Sequence, residues 1–141
     1  MEHLAVMQKK RGFIEKILNG QKTIESRWYM RKYAPWNIIA RGESVYFKNS
    51  GEKVQLRADV SKVVQFSDLN QEKIRDILQN FGDKIGLENS KYFFETVKYK
   101  KYCILIFLKN VKEVSPFKIN KKGFGAMASW ICIESINKIK K

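Results

Sequence analysis

The middle of the chain carries the clearest alternation of apolar and polar side chains. Apolar residues take every second position of one segment, namely Val54, Leu56, Ala58 and Val60. The residues between them are polar or charged, so the pattern predicts a strand with one buried face. Val45 and Phe47 show the same period before Gly51, which marks a turn between two strands. The alternation changes phase at positions 63–64, which predicts a bulge before the strand ends.

Helical spacing of apolar residues appears in three other segments. The strongest pattern follows Asn70, a residue that can cap a helix, and it places apolar side chains at Ile74, Ile77, Leu78 and Phe81. We expect Gly82 to end this helix. A short helix is predicted before Gly20, where apolar residues occur in pairs four positions apart, and another over positions 90–97.

The remaining apolar segments predict strands at both ends of the chain. Short strands are expected over 4–7 and 23–28, and a central strand over the apolar run 102–108, extended toward Pro116. Positions 130–139 predict a strand that turns into a final helix. Strands from both ends with few helices between them predict one α+β domain over 1–141, built on a mixed β-barrel flanked by two or three helices.

Composition narrows the function classes. The chain has 141 residues and a net charge of +14, from 28 Lys plus Arg against 14 Asp plus Glu, and 44% hydrophobic residues can build a core. No apolar run approaches the roughly 20 residues needed to cross a bilayer, and the first residues do not resemble a secretion signal. With one histidine and two separated cysteines, neither a metal site nor a cofactor is expected. We expect a cytoplasmic protein with reduced cysteines, no membrane partner and polyanionic ligands.

The most specific cluster of charges follows the first predicted helix. The sequence Gly-Gln-Lys-Thr-Ile-Glu-Ser-Arg over 20–27 places Lys22 at a helix-to-strand corner and sends Glu25 and Arg27 to one face of the strand. Such a cluster can hold a phosphate, accept hydrogen bonds from a base, or move a proton. It can equally form a structural salt bridge between Glu25 and Arg27.

Two further segments combine features of nucleic-acid-binding surfaces. The segment 27–36 interleaves aromatic rings with cations, from which we select Tyr29, Arg31, Lys32, Tyr33 and Trp36 as candidate base and phosphate contacts. Alternatively, Trp28 and Trp36 only pack the core.

The second segment, 97–122, carries eight lysines against one glutamate. Its lysine- and glycine-containing end predicts phosphate contacts from Lys118, Lys121 and Lys122. The alternative is a solvated edge whose charges prevent strand pairing.

The pattern Gly-x-Lys-x-x-Glu-x-Arg after a short amphipathic helix resembles the ASCH domain family of the PUA-like superfamily. Segments 42–47 and 60–69 resemble the family's next strands, and 122–130 resembles a segment of its compact single-domain branch. The resemblance implies a small β-barrel flanked by helices, with a cleft lined by Lys22, Glu25 and Arg27, and it implies RNA binding.

The same resemblance carries an enzymatic alternative. A small bacterial branch hydrolyses acetylated cytidine with a motif lysine, a threonine and a later glutamate, and a ribonuclease activity has been attributed to an ASCH protein. Lys22 matches that lysine, whereas Glu25 stands where the threonine would be, and Glu88 is a candidate for the later glutamate.

We therefore expect an RNA- or modified-nucleotide-binding domain in which Glu25 accepts hydrogen bonds from an exocyclic amine of the base and Arg27 orients Glu25. The alternative is a hydrolase of a nucleoside amide or of RNA, with Lys22 and Glu25 as the acid–base pair. The ligand's identity and the oligomeric state stay open at this point.

Overall fold

The structure, a computed structural model, describes residues 1–125 and 127–141, in which six strands and three α-helices follow one another. The strands are β1 (Glu2–Met7), β2 (Ile24–Tyr29), β3 (Ser44–Asn49), β4 (Val54–Phe66), β5 (Tyr102–Phe117) and β6 (Trp130–Ile133). The helices are α1 (Phe13–Leu18), α2 (Gln71–Ile85) and α3 (Ser90–Val97). Ala126, which belongs to the C-terminal segment of the family resemblance, lies outside the described residues.

All six strands belong to one sheet with the order β2-β5-β4-β3-β1-β6. Neighbours are antiparallel except β1 and β3, which run parallel. The sheet curls into a half-barrel with the helices packed against it, so the predicted α+β class and the barrel-like, mixed sheet are confirmed. Strands β2 and β6 are its two edges.

The long pair β4 and β5 bends where its register shifts. Three shifts occur in β4, between Val54 and Leu56, between Arg57 and Asp59, and between Val60 and Lys62. Extra residues in one strand of a pair bend it and increase its twist. The predicted bulge therefore exists, but it begins earlier than the phase change at positions 63–64.

Helix α2 corrects one prediction. It begins after Asn70, whose side chain accepts a hydrogen bond from Lys73 N as expected, but it passes Gly82 and ends at Gly86. Gly82 is buried, and a Cβ there would lie 2.8 Å from Ser90 Oγ at the start of α3. This glycine thus allows close helix packing, whereas Gly86 has a φ of 88° and provides the left-handed end.

Three groups of buried side chains fill the two sides of the sheet. One group packs α1 on the inside of the curl, a second packs α2 and α3 on the other face of β2 and β5, and the third joins β6 to Leu4 and Val54. Trp28 lies in the second group, and Trp36 packs against the first. The C-terminal element is a 3-10 turn, Ile136–Lys138, rather than the full helix that we expected, and Ile136 and Ile139 are buried.

Both cysteines are free. Across the described residues no helix is long and apolar enough to span a bilayer, and no three His, Cys, Asp or Glu side chains are grouped as metal ligands would be.

Candidate functional site

Strand β2 separates apolar side chains from charged ones. Its alternation turns Ile24 and Trp28 toward the buried group under α2 and α3. Glu25, Arg27 and Tyr29 lie on the opposite face, where β1 and residue 129 approach. The sequence prediction that Glu25 and Arg27 share a face is therefore confirmed.

Lys22 is fully buried beneath this face. Its Nζ donates to Ile24 O (2.8 Å) and Ile85 O (2.7 Å) and lies 3.0 Å from Glu25 Oε1. It also lies 4.2 Å from the centre of the Phe13 ring. Because an ammonium group has three N–H donors, these oxygen contacts use all of them. Lys22 therefore joins the cluster as expected but is sealed away from any ligand.

Both oxygens of Glu25 are occupied by protein donors. Oε1 receives Lys22 Nζ and Ser26 N (3.1 Å), and Oε2 receives Arg27 Nε (3.1 Å) and Nη2 (2.9 Å). Burial alone would raise the pKa of this carboxyl, but the charges of Lys22 and Arg27 outweigh burial and lower it. Burial lowers the pKa of Lys22, and the charge of Glu25 opposes that shift.

Arg27 connects the two edges of the half-barrel. Besides Glu25, its guanidinium donates to Ser129 O (3.3 Å) and Val6 O (3.4 Å), and it lies 5.0 Å above the Trp130 ring. Its Nη2 also donates to Met7 Sδ (3.4 Å). Glu25 and Trp130 therefore fix this arginine in one orientation.

A cleft of about 310 Å³ opens above Glu25 and Arg27. Apolar and aromatic side chains form its walls, among them Met7, Phe13, Phe93 and Val97. Hydroxyl-bearing Thr96 and Ser129 also line it, and both residues are exposed. An apolar slot with a few convergent polar groups is typical of small-molecule sites.

Two more cations line the cleft, Arg11 before α1 and Lys100 after α3. The Arg11 guanidinium lies 5.4 Å from the centre of the Phe93 ring and 5.9 Å from that of Phe13, and its Nε donates to Gln8. Among the described lining residues Glu25 is the only acid, and Lys22 and Arg27 already neutralise it. The cleft therefore carries excess positive charge.

The predicted aromatic contacts divide into three environments. Tyr29 lines the cleft, and its hydroxyl donates to Ala34 O (3.0 Å). Tyr33 is 56% exposed and stands edge-on to Tyr29, with 5.9 Å between the ring centres. Trp36 packs against Tyr102 and the core, as the packing alternative expects, and its contact with a base stays a prediction.

The predicted basic contacts lie outside the cleft. Arg31 and Lys32 are exposed in the loop after β2, with Lys32 Nζ 5.8 Å from the Tyr102 ring centre. Lys118 and Lys122 are exposed beyond the end of β5, where Lys118 O accepts from Lys141 N. Lys121 lies in the same segment and is partly buried. Whether these residues bind phosphate stays a prediction.

Glu88 does not join Lys22 and Glu25. It is 85% exposed, pairs with Lys16 at 3.2 Å, and lines a neighbouring depression between α1 and the loop before α3. The structure thus brings Lys22, Glu25 and Arg27 together and leaves the third proposed catalytic residue at the surface.

Sequence reasoning missed Arg11, Lys100 and the support given by Trp130. The lysine-rich segment contained Lys100 but gave no reason to select it, and Arg11 follows no recognisable motif. Trp130 donates through Nε1 to His3 Nδ1 (3.1 Å), and His3 Nε2 donates to Glu43 (2.8 Å). The one histidine is therefore buried and structural, and it holds the ring on which Arg27 rests.

Comparisons with known proteins place this arrangement in a known fold. No family model matches the chain, and a search of curated proteins also finds no match. Among solved structures, the ASCH protein from Zymomonas mobilis is 15% identical, with a TM-score of 0.69 over 97% of this chain and 91% of that one.

Two variants of that Zymomonas mobilis protein align equally well, at 13% and 14% identity, again with a TM-score of 0.69 over 97% of this chain. They cover 93% and 91% of the variant chains. The chain therefore has the fold of these ASCH proteins.

Proposed function

We propose that the cleft over Glu25 and Arg27 binds a nucleotide, alone or within RNA. The observation that carries the proposal is the charge of the cleft. Arg11, Arg27 and Lys100 line it and Lys22 lies behind it, against the single carboxylate of Glu25. A concave site with unneutralised cations attracts anions, and phosphate groups suit guanidinium and ammonium donors.

The walls of the cleft suit the other half of a nucleotide. Phe13 and Phe93 present aromatic surface next to Met7 and Val97, and a base offers a flat apolar face to such a slot. Thr96 and Ser129 provide hydroxyl groups that can donate to or accept from the edge of a base or a sugar. The ASCH fold adds support by analogy alone.

The roles that we expected for the charged cluster change. Glu25 has no acceptor position left for an exocyclic amine, because four protein donors occupy its two oxygens. Its role is to orient Arg27, whose guanidinium lines the cleft where a ligand would bind. Lys22 in turn keeps Glu25 ionised.

The hydrolase alternative has less support in this arrangement. A carboxylate whose pKa is lowered is a weak general base near neutral pH, and Lys22 has no free donor and no solvent access. Incubation of the protein with acetylated cytidine and with labelled RNA tests it. Turnover that disappears in Glu25→Gln would favour the enzyme.

Calorimetric titration with cytidine and uridine monophosphates at low salt tests nucleotide binding. We expect the monophosphates to bind and the nucleosides without phosphate to bind at least tenfold more weakly. Arg11→Gln and Lys100→Gln should each weaken monophosphate binding by roughly tenfold, because a charged contact is lost.

The control is Lys112→Gln, which removes the charge of an exposed lysine on β5 outside the cleft. It should leave the affinity unchanged. Absence of monophosphate binding at low salt, or an equal loss in all three variants, would refute the cleft as the site.

A further inference from the structure

The cleft opens beside a surface that carries two exposed tyrosines and four cations. This surface, which we name the tyrosine–lysine rim, consists of Arg31, Lys32, Tyr33, Tyr99, Lys100 and Lys101. We infer that the rim binds the unpaired RNA strand on either side of the nucleotide held in the cleft. The inference rests on the proposed function, to which it adds the form of the ligand and a second contact surface.

Strand pairing places the two halves of the rim together. Tyr29 at the end of β2 pairs with Tyr102 at the start of β5, and Lys101 N donates to Tyr29 O (3.0 Å). The residues after Tyr29 and those before Tyr102 therefore leave the sheet at the same place. Residues distant in sequence thus form one surface.

The rim is continuous with the cleft. Tyr29 and Lys100 line the cleft, and Tyr33 stands against Tyr29. An RNA strand that leaves the cleft on this side can contact Tyr33 and Lys32 in the loop after β2. It can also contact Lys101 and Tyr99 in the segment before β5.

The charges of the rim have no acidic partner among the residues that the structure describes. Across the described residues, Arg31, Lys32, Lys100 and Lys101 form no ion pair. The neighbouring Glu95 is already paired with Lys98, at 2.7 Å. Asp68 lies on the adjoining loop, whose Leu69 N donates to Lys101 O, and the rim itself contains four cations and no acid. A polyanion satisfies this imbalance.

The tyrosines decide which polyanion fits. Tyr33 is 56% exposed and Tyr99 is 66% exposed, although aromatic residues normally bury their rings. Exposed rings beside cations can stack on bases that are not paired, whereas bases in a duplex already stack on one another. The combination therefore favours an unpaired strand over a duplex or an acidic protein surface.

Fluorescence anisotropy with a labelled uridine decamer tests the rim at several salt concentrations. The double variant Tyr33→Ala/Tyr99→Ala should weaken decamer binding by at least fivefold, because the stacking of a base on each ring is lost. Lys32→Ser/Lys101→Ser should weaken it and reduce the slope of log affinity against log salt by about one. Neither variant should change the affinity for a monophosphate, since both leave the cleft intact.

Matched controls separate the rim from bulk charge. Tyr92→Ala removes a tyrosine that is 71% exposed at the other end of α3, and Lys109→Ser/Lys112→Ser removes two exposed charges from β5. Both should bind the decamer as the unchanged protein does. An equal loss in these controls would overturn the rim, because binding would then follow net charge alone.

Titrations with other polyanions test the choice of unpaired RNA, and the monophosphate titration separates the rim from the cleft. Equal affinity for an RNA duplex, a deoxy decamer or polyglutamate would overturn the assignment to unpaired RNA. Decamer binding that depends on the tyrosines while no monophosphate binds would support the rim and refute the cleft. Monophosphate binding with unchanged decamer affinity in both rim variants would refute the rim and leave the cleft.

Discussion

Lys22 illustrates how a motif residue can act without touching a ligand. Its ammonium group donates hydrogen bonds to Ile24 O and Ile85 O and so holds the helix-to-strand corner against the end of α2. It also pairs with Oε1 of Glu25. Because Glu25 is held from both sides, it holds Arg27 in one orientation. The sequence analysis treated a structural salt bridge and a ligand-facing cluster as alternatives. The three charges form the salt bridge and also lie at the floor of the cleft.

Replacing Lys22 should destabilise the fold before it affects binding. We expect Lys22→Met to lower the free energy of unfolding by about 3–5 kcal/mol, because buried Glu25 loses one of its two cationic partners and two buried carbonyls lose their donor. Chemical denaturation measures the loss.

The exposed Lys32→Met is the control and should change stability by less than about 0.5 kcal/mol. A Lys22→Met protein of normal stability that no longer binds monophosphates would contradict the structural role and make Lys22 a ligand contact.

At the scale of elements, the end of α2 and the start of β2 meet at Gly86. A Cβ at this glycine would lie 3.1 Å from the Cβ of Lys22, and its φ of 88° is one that other residues rarely adopt. Thr23 N also donates to Lys84 O (2.8 Å). The helix end therefore determines where the buried lysine lies.

Substitution of Gly86 separates backbone strain from this contact. Gly51→Ala has a similar φ of 77° with nothing within 4 Å of the added Cβ, and it should cost about 1 kcal/mol of unfolding free energy. Gly86→Ala should cost more, because Lys22 must also move. Denaturation curves of the two variants give the difference, and equal losses would show that the contact with Lys22 has no energetic effect.

The elements also show what patterns of one sequence can predict. Period-two alternation predicted β3 and β4, and helical spacing predicted α3 with its observed ends, because local burial governs both. Gly82 and Gly86 look alike in sequence, and only the approach of Ser90 shows which one lies inside the helix.

For the site, the spacing of Glu25 and Arg27 was informative since both lie on one strand. Arg11 and Lys100 reach the cleft through the packing of α1 and α3, which no local pattern encodes.

Across the whole molecule, His3 links the cleft to the N-terminal strand. Trp130 donates to one nitrogen of its ring, and the other donates to Glu43, which also lies 3.5 Å from the amino group of Met1. Burial is the main cause that lowers the pKa of His3 below its ordinary value of about 6.5, although Glu43 opposes the shift. The folded protein therefore keeps this ring neutral where the unfolded chain protonates it.

Stability should consequently fall as the pH falls from about 7 to about 5. Below the ordinary histidine pKa the unfolded chain binds the additional proton, so acid favours unfolding, by at most about 1.4 kcal/mol per pH unit. His3 is the chain's one histidine, so His3→Gln should flatten this part of the profile. Denaturation curves at several pH values test it, and an unchanged slope in His3→Gln would contradict the neutral buried ring.

The pairing of β6 with β1 has a consequence for the order in which the protein is made. Strand β1 is synthesised before the other five strands, but one of its edges pairs with Trp130–Ile133, near the other end of the sheet's sequence. Arg27 likewise contacts Ser129 O and the Trp130 ring, which are synthesised about a hundred residues later. Contacts between such distant residues form slowly, because a long loop must close before they form. A nascent chain on the ribosome therefore exposes its lysines to nearby RNA well before the cleft above Glu25 and Arg27 exists.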